Sequence, residues 1–167
     1  MSDTPTRNAG VKQRDRIRMS PEEVDAFLAG RRSMTMSTIS ADGSIHSVAM
    51  WYGFVDGCVA FETKAKSQKV LNLRRDPRLT CLVEAGDYYE ELIGVSLVGK
   101  GEITEDPEEM FELGTSVFSR YVMPYSDAMK SAVDAMMRNR VVVKLRVDRT
   151  ITWDHAKLGL PSTRPAS

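Results

Sequence analysis

Two Asp-Gly steps, Asp42-Gly43 and Asp56-Gly57, constrain this chain more than any other feature, because each stands between runs whose side chains alternate. In SMTMSTIS, Met34, Met36 and Thr38 fall on one side and Ser33, Thr35, Ser37 and Ile39 on the other, the period of a strand. The run IHSVAMWYGF follows the first step and CVAFET follows the second. Asp-Gly supplies the positive φ angles that a tight hairpin turn needs, so it joins antiparallel neighbours. Parallel neighbours need a long crossover, which disfavours a doubly wound parallel sheet. The three runs are expected as an antiparallel meander.

Three further runs, RLTCLVEA, ELIGVSLVGKGEIT and RVVVKLRVDRTITW, have strand composition and bring the expected count to six. Helices belong in the connections. MSPEEVDAFLAG begins with Ser20 as cap, Pro21 in the first turn and Glu23 completing a capping box, with Val24, Phe27 and Leu28 on its apolar face. EDPEEMFEL repeats that logic with Asp106, Pro107 and Glu109, and SDAMKSAVDAMMRN provides another helix at 126–138. A mainly β fold follows, a six-stranded antiparallel barrel with flanking helices, since closure removes exposed edges. At 167 residues this is one domain. Residues 1–18 form a charged arm without apolar periodicity, 19–160 the folded domain and 161–167 a tail.

The 23 basic and 23 acidic residues cancel, which argues against a dedicated nucleic-acid protein. The chain lacks an apolar run long enough to cross a bilayer, and MSDTPTRNAG lacks the apolar core of a secretory signal, so a cytoplasmic protein without membrane partners is expected. Cys58 and Cys81 sit among β-formers and belong to no CxxC pair, which suits buried reduced thiols. With His46 and His155 as the only histidines and no HExxH or clustered spacing, no metal site is expected. No catalytic residue is identifiable. A bound cofactor would therefore supply reactivity, and the protein position.

The stretch FETKAKSQKVLNLRRDPR concentrates Lys64, Lys66, Lys69, Arg74, Arg75 and Arg78 on the end of a strand and one short helix that Pro77 stops. Thr63 and Ser67 add hydroxyls, and the N–H groups of the first helical turn add donors. A phosphate fits there; a solvated polar helix face fits the same spacing. Arg74, Arg75 and Arg78 lie farther along and are expected to pair with the acidic loop EAGDYYEE. In MWYGF, Trp51 and Tyr52 face opposite sides of the sheet, so one joins the core while the other lines a groove or interface. Trp153, His155 and Lys157 in TITWDHAKL follow the last strand, with Trp153 also placed to plug a barrel end.

AKSQKVLNLRRDPR after CVAFET, together with MSTISADGSIHSVAMWYGF and ITWDHAKL, resembles the split β-barrel superfamily that includes pyridoxamine 5'-phosphate oxidase, over residues 20 to about 158. The resemblance is to its flavin and deazaflavin oxidoreductases, more to the actinobacterial branch that uses coenzyme F420. It implies an FMN-binding split barrel that works as a homodimer. Phosphate contacts would fall on Thr63, Lys64, Ala65, Lys66, Ser67 and Lys69, and ring contacts on Met50 and Trp51. Tyr88, Tyr89 and a partner chain's Trp153 would form the acceptor side. The resemblance implies F420 as the cofactor, with FMN as the alternative, and hydride transfer to or from a small organic acceptor as the reaction. The arginine-led RxxLLK strand and the C-terminal arginine motif of true pyridoxamine phosphate oxidases are missing. A cofactor carrier without turnover and a small barrel binding single-stranded nucleic acid are the competing classes.

Overall fold

The computed structural model describes residues 12–30 and 33–165. In chain order the elements are α1 (Gln13–Arg16), α2 (Pro21–Ala29), β1 (Met34–Ile39), β2 (Ile45–Met50), β3 (Gly53–Val55), β4 (Cys58–Lys64), α3 (Gln68–Arg75), β5 (Arg78–Ala85), β6 (Ile93–Thr104), α4 (Pro107–Tyr121), α5 (Lys130–Met137) and β7 (Arg140–Asp154). Every pairing is antiparallel, and the spatial order is β2-β1-β5-β6-β7-β4-β3. The sheet has seven strands where six were expected. The run 45–54 is two strands, broken at Trp51 and Tyr52.

That break reshapes the meander. Both Asp-Gly steps do make antiparallel turns, β1 to β2 and β3 to β4, with Gly43, Asp56 and Gly57 at positive φ. Yet β2 and β3 occupy opposite edges of the sheet. Three residue steps from Met50 to Gly53 reach at most ~11 Å, whereas six gaps between strands of a flat sheet would span ~29 Å. The sheet must curl until its two edges almost meet. The result is an antiparallel half-closed barrel with helices at its flanks.

One apolar cluster fills the inside of the curl, with Met34, Met36, Phe61, Cys81, Val83, Val95 and Leu145 fully or almost fully buried. A second lies outside it, where Leu113 and Val117 of α4 and Val133 of α5 cover Val55, Ala60 and Val142. Tyr52 turns inward and donates its hydroxyl proton to Leu28 O at 2.8 Å, while Trp51 stays about half exposed. Their opposite facing agrees with the strand alternation. Arg120 of α4 donates to the carbonyls of Leu28, Ala29 and Gly30 at the end of α2 and lies over the Tyr52 ring. The lysine Lys144 is buried on β7, paired with Glu109 of α4 and Glu102 of β6.

The expected helix starts are present. Ser20 and Glu23 form a reciprocal capping box, and Asp106 accepts from the N–H groups of Glu108 and Glu109. The helix expected over 126–138 is a 3₁₀ turn, Asp127–Met129, followed by α5. Of the arm expected over 1–18, residues 1–11 lie outside the described residues. From residue 12 on it carries α1, and Ile17 O accepts from Asp154 N–H at 2.7 Å.

Helix α3 fixes the place of the basic segment. Val70 and Leu73 are buried, and so is Asn72, whose Nδ2 donates to Thr38 Oγ1 of β1 at 3.0 Å while its Oδ1 accepts from Gln68. Leu71 points to solvent. Removing one partner of a buried polar pair costs about 1–3 kcal/mol. Asn72→Ala should lose stability of that order in urea unfolding, whereas Leu71→Ala should change it by less than about 0.5 kcal/mol, as exposed positions do.

Candidate functional site

The basic segment begins where β4 ends. Thr63, next to the last residue of β4, is buried on the inner side, and its Oγ1 lies 3.2 Å from Ser67 Oγ. Lys64, Ala65 and Lys66 then turn the chain, held by Ser67 N–H to Lys64 O and Ala65 N–H to Asn139 O. Ser67 stands at the N-cap of α3 without capping it, because its hydroxyl is turned to Thr63. The N–H groups of Gln68 and Lys69 consequently have no hydrogen bond among the described residues. Lys69 folds back over this start and donates from Nζ to Thr63 Oγ1 at 3.2 Å. Two hydroxyls, two backbone N–H groups and one ammonium thus converge at the head of a helix whose dipole also favours negative charge.

Glu62 and Arg140 were not anticipated from the sequence. Glu62 is buried on the outer side of β4, and its Oε1 accepts from Arg140 at 3.3 Å, from the first residue of β7. The pair lines a groove of about 420 Å³ with Ser33, Ala49, Met50, Trp51 and Met136. Burial pushes the Glu62 carboxyl above its ordinary range, against the opposing pull of Arg140 and then of Lys69. Burial likewise lowers the Lys69 ammonium, opposed by the Glu62 charge and reinforced by Arg140. Arg140 also belongs to a neighbouring basin of about 790 Å³, which Lys64, Ala65, Lys66, Arg138 and Met136 line. Signals for this part were absent from the local sequence, since Lys64 meets Arg140 only through the β4–β7 register.

The expected ring contacts meet this groove: Met50 is half-buried, and the Trp51 indole is stacked parallel on Tyr121 with centroids 4.7 Å apart. The expected acceptor side is elsewhere in the chain. Tyr89 packs against His155, whose Nδ1 lies 2.8 Å from Tyr89 O, and Arg164 lies over the Tyr88 ring. The Trp153 indole lies on Gly94, where an added Cβ would come within 2.2 Å of it. These residues gather at the far end of β7, roughly 40 Å along the strand from Arg140.

The last three arginines have other partners than the acidic loop. Arg74 lies 3.9 Å from Glu105, Arg75 donates to Ile39 O, and Arg78 clamps Asp76, holding that carboxyl down to about 2. The loop carboxylates Glu90 and Glu91 bind Thr163 and Arg164 instead. Cys81 is buried and its thiol is pushed up to about 12 by burial, while Cys58 is half-buried. No His, Cys, Asp and Glu group among the described residues could hold a metal ion, and no described helix is long and apolar enough to cross a membrane.

A curled antiparallel sheet whose edges are joined by a two-residue bend, with a basic turn at the head of the crossover helix, is a split β-barrel. The chain belongs to the pyridoxamine 5'-phosphate oxidase family, whose model matches residues 20–154. A conserved hypothetical protein from Mycobacterium tuberculosis is 49% identical, with 94% of this chain and 98% of that one aligned at a TM-score of 0.89. An F420 reductase shares the fold at 24% identity, over 78% of this chain and 98% of its own, with a TM-score of 0.58. A heme binding protein from Mycobacterium smegmatis does so at 20% identity, over 84% and 60% of the two chains, with a TM-score of 0.60. No curated protein matches.

The opposing charges around Lys69 give a direct check. Its ammonium, followed by NMR of the ε-carbon, should titrate below the ordinary lysine range. Because Glu62 is the one described group that raises it, Glu62→Gln should move the titration lower still. With a folded pKa below the unfolded one, Lys69 makes stability rise with pH between the two values.

Proposed function

We propose that this protein binds a phosphate-bearing flavin or deazaflavin, coenzyme F420 or FMN, and holds it for hydride exchange with a small organic acceptor. One observation carries the reading: Lys69, Thr63, Ser67 and two helix N–H groups converge on one spot, and among the described residues those N–H groups are unengaged and the charge is matched only by Glu62, which Arg140 already engages. That donor set suits a phosphate, because every member can donate and the cation is only half in solvent. Family membership supports a flavin-like ligand, and the resemblance to the deazaflavin branch favours F420. When bound, the tricyclic ring supplies the hydride.

The chain's own residues would position and dry the site. Trp51, Met50 and Met136 offer apolar walls to a flat ring, with the indole fixed by its stack on Tyr121. Excluding water there makes the orientation of donor and acceptor the main source of rate. The acceptor-side residues Tyr88, Tyr89 and Trp153 are not among the residues that line the same chain's ring groove. A partner chain would bring them to it in a homodimer, which the exposed apolar side chains Ile45, Trp51 and Val147 also suit. A soluble, cytoplasmic setting suits such a reaction.

Two alanine substitutions, at Lys69 and at Arg78, separate the phosphate site from the rest of the basic stretch. Losing a charge-assisted bond to phosphate costs about 1.5–3 kcal/mol, or roughly ten- to a hundredfold in affinity. Lys69→Ala should weaken equilibrium binding of F420 or FMN by that factor. Arg78→Ala should leave it unchanged, since Arg78 is already held by Asp76. Equal affinities for both variants and the parent would put the anion site elsewhere. Reduced F420 that binds but is never oxidised by a panel of acceptors would make the protein a carrier.

A further inference from the structure

We propose that Glu62 is the proton-holding group of the ring groove: entry of an anionic cofactor draws Arg140 away from it, its carboxyl takes up a proton, and that proton serves the acceptor. The inference rests on the cofactor reading above and adds a residue and a coupling to it.

The geometry begins with the two grooves. Arg140 and Met136 line both the ring groove and the cationic basin with Lys64, Lys66 and Arg138. Among the described residues, Arg140 is therefore the one cation common to the place where a ring would lie and the place where negative charge would collect. Its present partner is a single Glu62 oxygen at 3.3 Å, a long contact for a charged pair. Beyond this contact the carboxylate is hydrogen-bonded, among the described residues, only by its own backbone N–H, although the side chain is only 10% exposed. A phosphate or carboxylate offered to Arg140 competes with a weakly held carboxylate.

The groups around Glu62 set the direction of the response. Arg140 faces it from β7 and Lys69 from α3, and both lower its proton affinity. Lys64, next on the same side of β4, is exposed, while Lys144 farther along β7 is engaged by Glu109 and Glu102. Among the described residues, Ser33, Ala49, Met50, Trp51 and Met136 complete the lining of the groove without a charge. An incoming anion takes up the positive charge of Lys69 and Arg140 and adds its own negative potential. Burial, which already favours the neutral carboxyl, is then opposed only by the backbone N–H of Glu62 itself among the described groups. Glu62 binds a proton and presents an O–H to the groove. Reducing a double bond takes a hydride at one atom, which carries both electrons from the reduced flavin or deazaflavin, and a proton at the other. Glu62 gives that proton from its O–H, and the carboxylate left behind returns to Arg140.

Isothermal titration of FMN or F420 into the protein tests the coupling without turnover. The heat is measured in two buffers of unequal ionisation enthalpy, neither of them phosphate, at several pH values on the acid side of neutrality. The parent should take up more protons than Glu62→Gln, by up to about one per chain. The ligand's own ionisation is common to both proteins and cancels in that difference. Arg140→Gln should shrink the uptake, because without its main opposing cation the carboxyl is already protonated before the ligand arrives. Uptake on the alkaline side belongs to Lys69 and should persist in Glu62→Gln. Binding with equal acid-side uptake in parent and Glu62→Gln overturns the inference alone, and so does an uptake unaltered in Arg140→Gln. Failure of the parent to bind either cofactor overturns the cofactor reading and this inference with it.

Discussion

The bend at Trp51 and Tyr52 is the constraint from which the remaining architecture follows. Two residues connect the first and last strands of a seven-stranded sheet, so the sheet has no flat solution. Curling it puts one side chain of the pair in the interior and the other on the rim: Tyr52 is sealed under α2 by its hydroxyl, and Trp51 is left against Tyr121. Arg120 ties this corner together by joining the end of α2 to the ring of Tyr52. The groove beside Met50 and Trp51 is a by-product of that closure, next to the bend between two edge strands, β2 and β3, that do not pair with each other.

The phosphate-type cradle and the ring groove lie on opposite sides of β4, which is how one strand serves both. Thr63 points in and Glu62 points out, as adjacent strand residues must. Lys69, coming back from α3, feels both. Its ammonium hydrogen-bonds Thr63 on one side and responds to the Glu62 charge on the other. A charge placed in either part of the site is thus felt in the other through a residue that belongs to the cradle and is not in the lining of the ring groove.

What the sequence made legible was local. Thr63, Ser67 and Lys69 lie within seven positions, and their meeting needs only a strand end, a turn and a helix start, each marked by composition. The hairpin turns and the two helix caps were legible for the same reason. The division of 45–54 was not, since IHSVAMWYGF is made of β-formers throughout. Gly53 is the one trace, placed where a Cβ would come within 2.6 Å of Ser116 Oγ on α4, and a lone glycine in a strand carries many meanings. The sheet order was equally hidden, because hairpins do not say which of their strands meets a distant one. Glu62 and Arg140 are 78 positions apart, and nothing near either points to the other. The acidic loop misled through its charge: complementary sign is a poor guide to partners when nearer carbonyls and carboxylates are available to each arginine.

The same separation bears on how the molecule comes into being. The pairings β1–β2, β3–β4 and β5–β6 close over short loops and can form early at little entropic cost. Pairing β4 with β7 must wait for nearly the whole intervening chain to be arranged, the kind of contact that slows folding. The ring groove and its charged pair straddle that ladder. A nascent or partly folded chain therefore has the beginnings of an anion cradle but no ring groove, and a ligand that needs both can recognise only a chain that has finished folding.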